Sequence, residues 1–312
     1  MATFRSPRSP RSPRSPASAI ALSPLSPYLA LVVGNSRLHW ALLQGFHGHG
    51  DRSHHPSGSV VARWDTAHSP ALGIPDPVTP ADAAAIDRVW LAYVQGLPLP
   101  PLAQAWLQPQ TTPPPLVLAS VVPAQAALFH SYPQLYPLSL SQIPLGHAYS
   151  NLGLDRALGL WGAGHTYGWP ALVIDGGTAL TLTGGDGSGN LVGGAILPGL
   201  RLQFQSLSQG TAALPWVDGD WMADPPPRWA RDTTGAIASG VLYGVLGAVQ
   251  GAIDHWLGQF PHSEIVFTGG DGQLLWSLAQ EDRSPGPGHP PGRCYHWDPD
   301  LLFKGILALG LS

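Results

Sequence analysis

The stretch ALVIDGGTALTLT at residues 171–183 decides how the chain is read. Residues 171–174 are four apolar side chains in a row, the pattern of a buried strand. Asp175, Gly176, Gly177 and Thr178 then supply turn chemistry, and residues 179–183 return as a second strand. The same order occurs near the start of the chain, where YLALVVGNSRLHWALL at residues 28–43 runs strand, Gly34-Asn35-Ser36 turn, strand. A third apolar strand at 263–267 ends in Thr268, Gly269, Gly270 and Asp271. Glycine at such a turn lets backbone N–H groups approach phosphate oxygens, and Ser or Thr adds a hydroxyl donor. Each turn taken alone also reads as a tight hairpin. Two of the three open similar halves of the chain, which suggests an internal duplication.

Outward from these turns, the first half reads as strands at 28–33 and 37–43, and a Gly/His/Ser/Pro-rich loop over 45–80. Helices are expected at 81–97 and 102–107, a strand at 116–122 and a short helix at 125–130. A helix at 156–165 leads into the second half. There the strands at 171–174, 179–183, 191–197 and 263–267 are joined by helices at 199–213 and 233–260. A Pro/Gly loop follows at 283–293, and an apolar helix at 301–311. Strands alternating with helices predict an α/β fold. The expected division is a tail at 1–27, an N-terminal domain at 28–168 and a C-terminal domain at 169–312. The tail opens with an RSP repeat, and proline at that density suits neither helix nor sheet, so a disordered segment is expected.

Composition narrows the function. Of 312 residues 44% are hydrophobic, enough for a sizeable core and against a wholly disordered chain. The net charge of −4 gives no reason to expect a nucleic-acid partner. No unbroken apolar run of membrane-spanning length is seen, so neither membrane partner nor span is expected, and a cytoplasmic location follows. The one lysine, Lys304, lies in no glycine-rich loop. A P-loop needs a lysine directly after its glycines and a protein kinase needs one on a strand, so both are excluded. Any phosphoryl chemistry must use another cradle. The one cysteine, Cys294, forms no internal disulfide and lacks the setting of an activated thiol. His47, His49, His54 and His55 cluster without a carboxylate pattern that would fix a metal geometry.

The paired glycine turns resemble those of the actin-like superfamily of sugar kinases and chaperone ATPases, in which two duplicated domains close over ATP. Further motifs narrow the resemblance to the type III pantothenate kinases. Gly153-Leu154-Asp155-Arg156 is similar to that family's GxDR segment, and residues 175–181 to its DFGTATT segment. GGAILPGL at 193–200 and TAALP at 211–215 follow in the family's order. Thr233 with Ala236, Ile237, Ser239 and Gly240 resembles the next helix start, and Thr268-Gly269-Gly270 the adenosine turn. The resemblance spans residues 28–280.

It implies two actin-like, ribonuclease H-like domains with the site in the cleft between them. It also implies ATP-dependent phosphorylation of pantothenate, the first step towards coenzyme A. Asp155 is then the base that takes the proton of the pantothenate hydroxyl, and Arg156 the contact for the substrate carboxylate. Gly153, Leu154, Thr233 and Tyr149 complete the substrate set; Tyr149 lies closer to GxDR than the family's tyrosine does. ATP is assigned to Val33, Gly34, Asn35, Ser36, Arg37, Gly177, Thr178, Thr268, Gly269 and Gly270. Asp175 becomes the ligand of a monovalent cation, K⁺ or NH₄⁺, and Mg²⁺ accompanies ATP. A homodimer is implied, with the pantothenate pocket partly completed by the partner subunit. Read without the family, Asp155 and Thr233 also suit helix N-caps, Arg156 an exposed first-turn arginine and Asp175 a turn-initiating aspartate. Val32 stands where the family's first hairpin carries an aspartate, and valine can neither ligate a metal nor accept a hydrogen bond. A non-catalytic nucleotide- or pantothenate-binding regulator, like the Bvg accessory factors of the family, is the alternative. Another actin-like kinase acting on a sugar or acid is a second, without an equivalent GxDR match.

Overall fold

The computed structural model describes residues 26–45, 58–69, 79–219, 221–281 and 295–311. The repeat of the RSP tail, His47, His49, His54, His55, the 283–293 loop and Cys294 lie outside the described residues.

Strand β1 (Tyr28–Val33) is buried along its whole length, as its six apolar residues demand. It pairs antiparallel with β2 (Leu38–Gly45), with Tyr28 opposite Leu43 and Val33 opposite Leu38. β2 pairs antiparallel with β3 (Gly58–Thr66). On its other side β1 runs parallel to β4 (Leu116–Ser120), and β4 parallel to β5 (Leu135–Pro137). The second sheet repeats this plan with β6 (Ala171–Gly176), β7 (Ala179–Gly185), β8 (Leu191–Pro198), β9 (Glu264–Thr268) and β10 (Tyr295–Trp297). β6, β7 and β8 form the antiparallel meander, and β9 and β10 add in parallel beyond β6. The orders β3-β2-β1-β4-β5 and β8-β7-β6-β9-β10 are therefore the same topology twice. This is the duplicated ribonuclease H-like arrangement of an actin-like α/β fold.

Alternation along β1 explains the layers. Leu29, Leu31 and Val33 face a core with Trp40, Trp90 and Phe129, closed by α1 (Pro80–Gln95) and α2 (Pro101–Leu107). Tyr28, Ala30 and Val32 face the opposite side, against α4 (Leu154–Thr166) and α8 (Leu301–Ala308). That second cluster also contains Ala171 and Val173 of β6, so α4 and α8 pack between the two sheets. The far face of the second sheet, with Leu172, Ile174, Leu180 and Leu182, lies under α5 (Leu200–Gly210), α6 (Thr233–Gln259) and α7 (Gly272–Glu281). Burying each such Leu, Ile or Val contributes about 1.5–3 kcal/mol. Helix starts follow local chemistry. Thr79 caps α1 through a reciprocal bond with Asp82, and Asp232 caps α6 by accepting from the Gly235 amide at 2.8 Å.

Several boundaries differ from the sequence reading. The stretch read as a loop over 45–80 contains β3, in which Trp64 alone is buried, so its apolar pattern is too faint to announce a strand. The helix expected to 213 stops at Gly210, because Thr211 takes extended backbone at φ −129° and ψ 153°. The 125–130 helix is a single α turn, α3 (Pro123–Ala126), followed by a 3₁₀ turn. β5, β10 and α7 add to the elements expected from the sequence, the two strands being too short, at three residues each, to show a pattern. α6 is long and apolar enough to cross a membrane by length and composition, but half of its most apolar window is buried inside the protein. That is the behaviour of a core helix. Its inner face carries Ile237, Val241, Leu242, Val245, Leu246, Val249 and Ile253.

Candidate active site

The two duplicated hairpins bring their turns together. Between β1 and β2 the Gly34 amide donates to the Arg37 carbonyl at 3.0 Å, leaving Asn35, Ser36 and Arg37 exposed. Between β6 and β7 the Gly177 amide donates to the Ala179 carbonyl at 3.1 Å, and Thr178 projects outward. The Ser36 and Thr178 hydroxyls meet at 2.6 Å across 142 residues of sequence. The third turn is laced to the second, with the Asp271 amide donating to the Gly176 carbonyl at 2.7 Å. Gly269 sits there at φ +85°, and a side chain on it would run into the Asp175 carboxyl and the Gly176 backbone. Only glycine fits that position. Thr268 is buried just before it, while Val33 is buried in the core and offers this site its backbone alone.

Two carboxylates stand beside these turns. Asp155 lies in the first turn of α4, whose cap is Gly153, so it is not the helix N-cap. Its Oδ1 accepts from the Arg156 amide at 2.7 Å, and Oδ2 makes no hydrogen bond to the described residues. Asp175 ends β6. Burial, and then the Asp155 carboxylate nearby, push its pKa up to about 6, while His39 pulls the other way. His39 is tied through Nδ1 to Asp65 at 2.8 Å, and this bond holds the Asp65 carboxyl below its usual range. His68 Nε2 reaches the Gly34 carbonyl at 2.9 Å. Burial raises Asp271 as well.

A second group of predicted residues gathers around Arg156. The guanidinium is buried and donates to the Tyr149 hydroxyl at 2.8 Å and to the Thr183 hydroxyl at 3.0 Å. Arg156 is therefore no exposed first-turn arginine. Leu154 is buried in the core layer between the sheets. Thr233 is exposed at the start of α6, and no hydrogen bond joins it to Tyr149, Arg156 or Asp155. Val32 is buried in the apolar layer, with His39 as its cross-strand partner. His39, Asp65, His68, Thr183 and Asp271 were not singled out from sequence. Asp65 and His68 fell within the stretch read as loop. His39 had a findable signal, since it alternates with buried Leu38 and Trp40 directly after a glycine turn.

Chemically, the arrangement offers turn amides and paired hydroxyls for anionic oxygens, a carboxylate oxygen open to a proton, and a buried cation. Among the described residues no cluster of three or more His, Cys, Asp or Glu is placed to hold a metal by itself.

A family model for type III pantothenate kinase matches residues 102–255. The type III pantothenate kinase of a Synechocystis strain is 40% identical over 283 residues, covering 91% of this chain and 90% of the relative. That of a Nostoc strain is 42% identical over 256 residues, covering 81% and 85%. That of a Synechococcus strain reaches 47% over 219 residues, covering 70% and 71%. Among solved structures, a Baf family transcriptional activator from Campylobacter jejuni superposes at a TM-score of 0.49 with 16% identity, covering 90% of this chain and 96% of that one.

Proposed function

The chain belongs to the type III pantothenate kinase family, and from that premise we propose how its cleft carries out the reaction. The protein is an ATP-dependent kinase that transfers the γ-phosphoryl group of ATP to a hydroxyl of pantothenate, giving ADP and 4′-phosphopantothenate for coenzyme A synthesis. Phosphoryl transfer leaves little covalent work to side chains, so positioning and electrostatics must supply the acceleration. The observation that carries the residue assignment is the meeting of Ser36 with Thr178, which brings both hairpin turns to one place beside Asp155 and Asp175.

In this reading the turns at Gly34–Arg37 and Gly177–Thr178 hold the phosphates, and the Thr268–Gly270 turn holds the adenosine. Asp155 is the base: Oδ1 is occupied by the Arg156 amide, so Oδ2 receives the proton of the attacking hydroxyl. Arg156 takes the pantothenate carboxylate, Tyr149 lines the same pocket, and Gly153, Leu154 and Thr233 complete it.

The kinase chemistry implies a divalent metal with ATP, and we assign Mg²⁺, with K⁺ or NH₄⁺ beside Asp175. The residues fit: two carboxylates close enough for one to raise the pKa of the other favour a cation near them. Mg²⁺ commonly rests on substrate phosphates plus one or two carboxylates, which suits a site without a three-ligand cage. When bound it neutralises charge developing on the phosphate oxygens. Asp155 would hold it through water and Asp175 would hold the monovalent ion.

We also propose a homodimer. What supports it is the outer face of α6, where Gly240, Gly244, Gly247, Ala248 and Gly251 are exposed and would let a second helix approach closely. A cytoplasmic enzyme without nucleic-acid or membrane partners, organised as domains 28–168 and 169–312, completes the reading. The test is ADP release from the purified full chain with Mg²⁺-ATP, which must depend on added pantothenate.

A further inference from the structure

Arg156 is 8% exposed, and every hydrogen-bond partner its guanidinium has among the described residues is neutral. Nε donates to Thr183 Oγ1 at 3.0 Å, Nη1 to the Tyr149 hydroxyl at 2.8 Å, and Nη2 to the Leu182 carbonyl at 3.4 Å. Among the described residues no carboxylate pairs with it. A buried cation without a counter-ion is costly, so this position makes physical sense when an anion arrives from outside. Arginine has five N–H donors. Three are engaged, which leaves one on each terminal nitrogen, the number that the two oxygens of a carboxylate require.

The wall that sets this up is the β7–β8 pair. Leu180 and Leu182 point into the core under α6, while Thr183, on the opposite face, is 1% exposed and reaches Arg156. Directly across the ladder from Thr183 stands Gly194. A Cβ on Gly194 would collide with the Leu182 carbonyl and crowd Nη2 of Arg156, so the glycine leaves room for the guanidinium.

We propose that Thr183 is a positioning residue for the acceptor substrate: its hydroxyl fixes Arg156 through Nε, and its neutrality reserves the arginine charge for the substrate's carboxylate. A hydroxyl at 183 orients the guanidinium without neutralising it, whereas a carboxylate there would bind equally well and satisfy the cation internally. This rests on the kinase reading above and deepens it.

The test compares wild type, Thr183→Val, Thr183→Ser and Thr183→Asp in the full chain. Two acceptors are used, pantothenate and the alcohol analogue in which CH₂OH replaces the carboxylate. Thr183→Val keeps the β-branched shape and is expected to raise the pantothenate KM about tenfold or more, as loss of a bond to a charged group does, while the ATP KM holds. Thr183→Ser, which returns a hydroxyl, recovers that loss. Thr183→Asp erodes the preference for the acid over the alcohol, because Arg156 is already paired. A Val variant with unchanged pantothenate KM, a Ser variant as impaired as Val, or an Asp variant that keeps the acid preference overturns the assignment. Wild type inert towards pantothenate would instead defeat the kinase reading. Calorimetric Kd values for pantothenate across the same four proteins would then still decide the role of Thr183 by the same ordering.

Discussion

Asp175 stores a cost that removal of its charge should release. Its carboxyl is raised from an ordinary 3.8 to about 6, first by burial and second by Asp155. The folded protein therefore binds this proton more tightly than the unfolded chain does. Stability from that preference is fully present below pH 3.8 and is lost as the pH rises through 6. The difference corresponds to about 3 kcal/mol of penalty for the ionised group in the folded state at pH 8. Asp175→Asn removes the ionisation at nearly constant volume. In urea denaturation without K⁺, the variant should exceed wild type by up to about 3 kcal/mol at pH 8, with the gap closing below pH 6 and absent near pH 4. Adding K⁺ should narrow the gap at pH 8, because an ion beside the carboxylate stabilises wild type alone. An equal difference at pH 4 and pH 8, or a variant less stable at pH 8, would refute the reasoning.

Other consequences are as direct. Asp155→Asn should lower kcat by about 100-fold or more, the scale of a lost general base, with its circular dichroism spectrum and ATP affinity retained; activity near wild type removes Asp155 from the mechanism. Gly269→Ala should depress both melting temperature and ATP binding, since a side chain at φ +85° meets Asp175 and the Gly176 backbone; a stable variant that binds ATP normally contradicts the geometry. Lys304→Met should cost about 1.5–3 kcal/mol, because it removes the ammonium that the buried Asp298 carboxylate meets at 2.7 Å and leaves that carboxylate only the Tyr167 hydroxyl and the Asp300 amide. Adding Asp298→Asn to it should restore much of that stability, measured in the same urea titration.

The duplication was legible because both halves begin with fully buried strands followed by glycine turns, a pattern carried by local sequence. The three turns were legible, and Asp155, Arg156 and Asp175 stood out as candidates, because their motifs are contiguous. What escaped notice depends on distant strands meeting. His39 gains meaning through Asp65, on an edge strand whose residues are mostly half-exposed and so lack a strong alternation. Thr183 gains it through Arg156, 27 residues away. The contact of Ser36 with Thr178 joins residues 142 apart and has no signature in either hairpin. Asp155 as an N-cap is a reasonable local expectation, but Gly153 caps α4 two residues earlier and leaves Asp155 inside the first turn.

The most direct measurement is steady-state ADP release by the purified chain with Mg²⁺-ATP, with and without pantothenate, in K⁺ and in Na⁺ buffers. The account predicts turnover that requires pantothenate and is faster in K⁺. Pantothenate binding without turnover, or ATP hydrolysis indifferent to pantothenate, would contradict it.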